Sequence, residues 1–332
     1  MGSQMNGNGV TKIHPTEEES SCIAMNLATW AMPSIVFKTI LELNVIDIIF
    51  AAGPKAQLSA EEIVAHLPTT NPNAAVALDR MLRLLGSFGI LTCSQSVQSD
   101  GRRKQLKHLK DAVLEGVTPF VKAYGMDLFE YSGKNSKFYK VFYDGMDHHA
   151  TTVMKTILET YKGFDGISTL VDVGGATGVT LNMIRSKHPS IKAINFDQPH
   201  IIKDAPTFPG VEHVGGDMYE SVPKGDAMFM KWTFQLGTDE QCLKLLKNCH
   251  KALPKTGKVI VCDGVIPESP KPSYQDQAIF LTDINLLALI PGGRLRTKQE
   301  YEALGKAAGF EAFRMVCFAC DTWIMEYLKK DE

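Results

Sequence analysis

The sequence predicts an α/β protein: a doubly wound, mostly parallel sheet preceded by a smaller helical domain. Three observations predict it. From about residue 163 onward, short apolar runs alternate with helical stretches, the pattern of repeated βαβ units. Residues 170–197, LVDVGGATGVTLNMIRSKHPSIKAINFD, read as a strand, a glycine turn, a helix and a second strand ending in Asp197. Before that, residues 22–120 carry helical periodicity and capping signals.

Composition narrows the function classes. The chain has 332 residues, 44% hydrophobic and 22% charged, enough for two domains and a sizeable core. A formal net charge of −2 gives no reason to expect a nucleic-acid or anionic-membrane partner. The seven cysteines lie mostly in apolar context and read as reduced thiols of a cytoplasmic protein. Cys317 and Cys320 form one CxxC, but no second pair or histidine cluster completes a metal site, so no metal is expected. The N-terminus lacks the apolar stretch of a signal peptide, and no run is long enough to span a bilayer.

The elements follow in order. Residues 1–20 are polar, with three consecutive glutamates, and are expected to be a disordered arm. Residues 22–50 are apolar around much of a helix circumference, which predicts two buried helices broken near Pro33. Ser59-Ala-Glu-Glu62 is a capping box, so a helix is expected over 61–67. A second follows over 74–88, then a short strand at 89–91. Helix, turn, helix, strand is a winged-helix pattern. DNA binding is disfavoured, because the recognition helix would carry only Arg80 and Arg83, despite the basic cluster Arg102, Arg103, Lys104, Lys107 and Lys110. Helices are expected over 106–120, 123–131 and 135–160. On the last, Phe138, Phe142 and Met146 are spaced i, i+4, i+8, as core or as the lid of an aromatic pocket. In the sheet domain, strands are expected at 211–214, 226–231, 258–263, 313–318 and 322–328, with helices over 239–253, 274–289 and 298–308.

The chemistry concentrates at strand ends. Glycines at a strand-to-helix turn let the backbone approach a ligand, and an acid closing the next strand suits a ribose. Gly174, Asp197, Asp217 and Lys231 all fall at strand C-termini and are read as one nucleoside-binding site.

The segments LVDVGGATG, INFD, GVEHVGGDM, MKW, LKLLKNCHKALP, GKVIV and PGGRLRT resemble plant phenolic O-methyltransferases dependent on S-adenosylmethionine, of the caffeic acid type. The resemblance covers nearly the whole chain beyond residue 22. It implies a winged-helix dimerisation domain over 21–120, linking helices that line the substrate pocket over 121–162, and a Rossmann-like class I methyltransferase domain over 163–332. It implies a homodimer acting on a small phenolic substrate. Carried over by position, Gly174 lies under the methionine part of the cofactor and Asp197 holds the ribose. Asp217 and Met218 border the adenine, and Lys231 lies near the cofactor.

The substrate end departs from the pattern. The family's general base is a histidine, and its position holds Gln235, whose carboxamide cannot take a phenol proton near neutral pH. The two supporting glutamate positions hold Asp263 and Leu295. The segment 93–106 is much shorter than the family's, and a Met-Asn pair over the phenolic ring is missing. Asn285, Leu286, Leu289 and Ile290 replace the usual residues of the pocket helix. With a phenol pKa near 10, about one molecule in a thousand is ionised at pH 7. The leading reading is therefore a hydroxycinnamate-binding enzyme without efficient methyl transfer. Isomerisation and lactonisation of 2-hydroxycinnamates to coumarins would suit it, with Gln235 gripping the substrate and Asp263 and His149 as proton shuttles. The alternatives are methyl transfer with Asp263 or His149 as substitute base, and a non-catalytic partner of a related subunit.

Overall fold

The computed structural model describes residues 32–53, 57–88, 90 and 108–330. The expected arm at 1–20, the helix before Met32, the segment 93–106 and the basic cluster other than Lys110 lie outside the described residues, as does the strand at 89–91 apart from Ile90. Helix α1 (Met32–Glu42) and α2 (Val45–Ala51) meet at Asn44, whose φ of 54° reverses the chain. This break was not expected, and the one expected near Pro33 borders residues that lie outside the described ones. Helix α3 (Ala60–Val64) begins at the Ser59–Glu62 capping box, and α4 (Ala74–Ser87) follows as expected.

The single helix expected over 106–120 is instead α5 (Leu109–Leu114) and α6 (Pro119–Tyr124). Gly116, at φ 70°, ends the first, and Pro119 opens the second. Helix α7 (Leu128–Lys134) is capped by Asp127, and the 25-residue α8 (Ser136–Thr160) by Asn135.

Strands β1 (Thr169–Val173), β2 (Lys192–Asp197), β3 (Val211–Gly215), β4 (Ala227–Lys231), β5 (Lys258–Asp263), β6 (Ala312–Ala319) and β7 (Thr322–Leu328) form one sheet in the order β3-β2-β1-β4-β5-β7-β6. All pairs are parallel except those made by β7. The helices between them are α9 (Val179–Lys187), α10 (Pro199–Lys203), α11 (Asp239–Ala252), α12 (Tyr274–Leu289) and α13 (Lys298–Ala308). Strands β1, β4 and β5 are almost wholly buried, as a sheet covered by helices on both faces requires.

The two domains share a core. Phe280, Leu281, Ile284 and Ala288 of α12 join the apolar cluster formed by α1 to α5. Arg80 of α4 donates to the Asp283 carboxylate at 2.7 and 3.0 Å, to the Asp283 carbonyl at 2.7 Å and to the Gly293 carbonyl at 3.1 Å. Arg83 is held by Asp79 and the Glu268 carbonyl. Both basic residues of the would-be recognition helix are thus committed to internal contacts, and α4 serves packing.

Candidate active site

The carboxyl ends of β1 to β4 converge as expected. After Val173 the chain turns at Gly174, φ 76°, whose Cβ would lie 2.9 Å from Thr233 Oγ1. A Cβ on Gly175 would fall 2.1 Å from Asn195 Oδ1 and 2.8 Å from the Asp172 carboxyl carbon. Only glycine fits here, and the turn presents bare backbone. Asp197 closes β2, and its two oxygens accept the amides of Ala176, at 2.8 Å, and Gln198, at 2.7 Å. Burial raises its pKa, against those two hydrogen bonds. Asp217 is exposed just past β3, where its carboxylate accepts the Tyr219 amide at 2.7 Å. Asn248 fixes the Met218 carbonyl at 2.9 Å. Lys231 ends β4 with its ammonium 4.7 Å from the centre of the Trp232 ring. Burial lowers its pKa, opposed by the nearby Cys262, Asp172, Asp263 and Asp147.

Sequence reasoning missed Asp172. It is 2% exposed in β1, its Oδ2 has no partner, and burial pushes its pKa up to about 7. A carboxylate inside an apolar strand beside a glycine turn was the available signal. An unpartnered buried carboxylate is costly unless something cationic meets it. Together with the glycine turn and Asp197, it fits S-adenosylmethionine: a bare backbone cradle, an acid for an ammonium and an acid for a ribose.

Helix α8 has two roles, of which one was foreseen. Its apolar face places Phe138 and Phe142 against a cluster of Phe120, Leu128, Ile279, Leu286, Ile290 and Leu295. Met146 is half-buried and outside that cluster, and Asn285 is half-buried on α12. The other face meets the glycine turn and Asp197. Thr177 of the glycine turn donates to Asp147 at 2.8 Å. The hydroxyls of Tyr139 and Tyr143 are pushed up in pKa by burial, and next by acids that include Asp197 for both.

A second cleft, lined by His149, Trp232, Gln235, Ile279, Thr282 and Cys320, adjoins this site. Gln235 lies in a 3-10 turn, Phe234–Leu236, right after β4, and is 5% exposed. Its Oε1 has no partner, and neither has His149 Nδ1. The Trp232 ring, on a residue with a φ of 58°, lies against His149 with ring centres 4.0 Å apart and planes tilted by 32°. Burial, and then Lys231, drives the His149 pKa down to about 3, so the imidazole is neutral at pH 7. Asp263 is fully buried. Its oxygens accept the amides of Gly264, at 3.0 Å, and Gln235, at 3.2 Å, and burial raises its pKa to about 7. It reaches position 235 through the backbone. Leu295 is buried, and its methyls lie 3.0 and 3.1 Å from where a Gly264 Cβ would be. The CxxC cysteines form no disulfide, and no metal-binding cluster occurs among the described residues.

Comparison with known proteins agrees with this architecture. Residues 106–311 match the O-methyltransferase domain and 25–107 the O-methyltransferase dimerisation domain. The chain is 52% identical to O-methyltransferase 13 of Lophophora williamsii, over 95% of this chain and 96% of that protein. It is 49% identical to caffeic acid 3-O-methyltransferase of Medicago sativa, over 98% of this chain and all of the relative. The latter alignment runs over 364 positions against a chain of 332 residues, so the relative has residues without counterpart here. Among solved structures, human N-acetylserotonin methyltransferase with S-adenosylmethionine shares the fold at a TM-score of 0.61, with 18% identity over 96% of this chain and all of that one. A family 2 O-methyltransferase from Planctomyces limnophilus in complex with apigenin does so at 0.67, with 18% identity over 96% of this chain and 98% of that one. With both domains matched and near half of all positions identical to plant relatives, the chain belongs to the S-adenosylmethionine-dependent phenolic O-methyltransferases of the caffeic acid type.

Proposed function

We propose that this protein binds S-adenosylmethionine and a small phenol but supplies no general base of its own. It methylates efficiently only hydroxyls that ionise without help. The observation that carries this is the cleft at Gln235. A carboxamide with an unpartnered oxygen stands where we place the family's base. The one imidazole lining that cleft is held neutral with its pKa near 3, too weak a base for a phenol. Both oxygens of Asp263 are occupied by backbone amides. The cofactor, when bound, supplies an electrophilic methyl group. The chain's own residues do the rest. Asp197 and the glycine turn hold the nucleoside, and Asp172 faces a cationic group. Phe138, Phe142, Leu286 and Ile290 enclose an aromatic ring, and Gln235 with His149 hydrogen-bonds its hydroxyl. The dimerisation domain supports a homodimer.

A second reading, closure of 2-hydroxycinnamates to coumarins, draws on the same two unpartnered atoms, which would grip a carboxylic acid. It needs a proton shuttle at the cleft, and a neutral His149 with a pKa near 3 is a poor one. The test is product mass. The protein is incubated with S-adenosylmethionine, simple phenols spanning pKa 7 to 10 and 2-hydroxycinnamates. Methyl gain confined to the acidic phenols supports the first reading, and water loss above the uncatalysed rate supports the second. Rapid methylation of every phenol contradicts both.

A further inference from the structure

We propose that Arg296 is a positioning residue for position 235. Its buried guanidinium holds the two carbonyls that bracket the turn and so fixes how the side chain at 235 enters the cleft. The proposal rests on the reading of that cleft given above. Arg296 is 0% exposed, and burying a guanidinium is costly unless every donor is placed. Nη1 donates to the Phe234 carbonyl at 2.8 Å, Nη2 to the Gly237 carbonyl at 2.7 Å, and Nε to Asp239 Oδ1 at 2.8 Å. The Arg296 backbone is itself pinned, bridging to Val265 and accepting the Ile266 amide at 2.9 Å.

The turn needs such a clamp. Its internal hydrogen bonds are long, 3.2 Å from Leu236 N to the Thr233 carbonyl and 3.4 Å from Gly237 N to the Phe234 carbonyl. Such a short 3-10 turn holds itself poorly. The Gln235 amide goes to Asp263 and its carbonyl to the Arg294 amide at 3.0 Å. Arg296 supplies the charged contacts to the outer two carbonyls, to which the Cys242 thiol donates more weakly, at 3.2 and 3.8 Å, and only a planar fork can reach both carbonyls and Asp239 together. Arg294, which pairs with the same Asp239 and with Glu300, touches neither outer carbonyl with its side chain.

The experiment is hydrogen exchange on the full chain carrying Arg296→Lys. Amides of 234–237 are expected to exchange about tenfold faster, while β5 amides and the Kd for S-adenosylhomocysteine stay within about twofold. A second readout uses an imidazole introduced by Gln235→His. Its NMR titration midpoint is expected to move toward that of free histidine when Arg296→Lys is added. Arg294→Gln is expected to change neither readout. Unchanged exchange in the turn overturns the proposal, as does a rise shared equally by β5, which would mark a merely structural arginine. If Arg296→Lys does not fold, Asp239→Asn decides: it removes the charge that pairs with Arg296 and Arg294 but leaves both carbonyl contacts of Arg296 in place, and is expected to give a smaller rise confined to the turn. No rise there contradicts the clamp. None of these readouts requires methyl transfer, so failure of the phenol reading is distinguishable.

Discussion

Replacing Gln235 by histidine is expected to raise methyl transfer to an ordinary phenol at pH 7 by about 10² to 10³. General-base catalysis is worth about 10² to 10⁴ in rate. The upper bound comes from the substrate: with a pKa near 10, about one phenol in a thousand is already ionised at pH 7, so a perfect base recovers at most that factor, roughly 4 kcal/mol. The side chain at 235 lines the cleft, and the contacts that hold the turn are to backbone atoms, so the substitution leaves the clamp intact. The low end of the range applies because Leu295, not a carboxylate, is buried next to Gly264 and no acid is placed to orient the imidazole. The gain must shrink with pH, to about tenfold at pH 9, where a tenth of the phenol ionises unaided. The assay is single-turnover transfer of radiolabelled methyl, which removes product release from the rate. A variant no faster than the natural protein at pH 7, or a gain that does not shrink at pH 9, refutes the reasoning.

Three further outcomes are expected. Asp172, with its pKa near 7 and an unpartnered oxygen, binds an ammonium only when ionised. Cofactor affinity should therefore rise about tenfold from pH 6 to pH 8 and flatten above, and Asp172→Asn should abolish that dependence, both read by calorimetry. Without ligand, the raised carboxyls of Asp172 and Asp263 reverse the usual acid sensitivity: their contribution to stability is present below about pH 4 and is lost as pH rises through about 7, measurable as a falling thermal midpoint. Arg80→Ala strands the buried Asp283 carboxylate and should cost about 3–5 kcal/mol in denaturant unfolding, since breaking a buried pair leaves an uncompensated charge.

Much of the sheet domain was legible because its signals are local. β5 and α12 fall at the expected residues, since an apolar run between turn residues and a helix between caps each declare themselves. Gly174, Asp197, Asp217 and Lys231 converge because parallel topology puts every strand's carboxyl end on one edge. What was illegible depends on contacts distant in sequence. Asp172 looked like one polar residue in a strand, and its missing partner appears only in three dimensions. The role of Arg296 depends on carbonyls about sixty residues upstream. One face of α8 was readable as a stripe of Phe138 and Phe142, but nothing in the spacing said that Tyr139, Tyr143 and Asp147 would meet the glycine turn and Asp197. The break at Asn44 was missed because a left-handed asparagine leaves a weaker mark in sequence than a proline does.

The most direct measurement is the pH dependence of kcat/KM for methyl transfer to two phenols of different acidity. Without a protein base, log kcat/KM rises with slope one up to each phenol's own pKa, and the midpoint moves with the substrate. A midpoint that stays near pH 7 whichever phenol is used would mean that a group on the protein takes the proton, and would contradict the account.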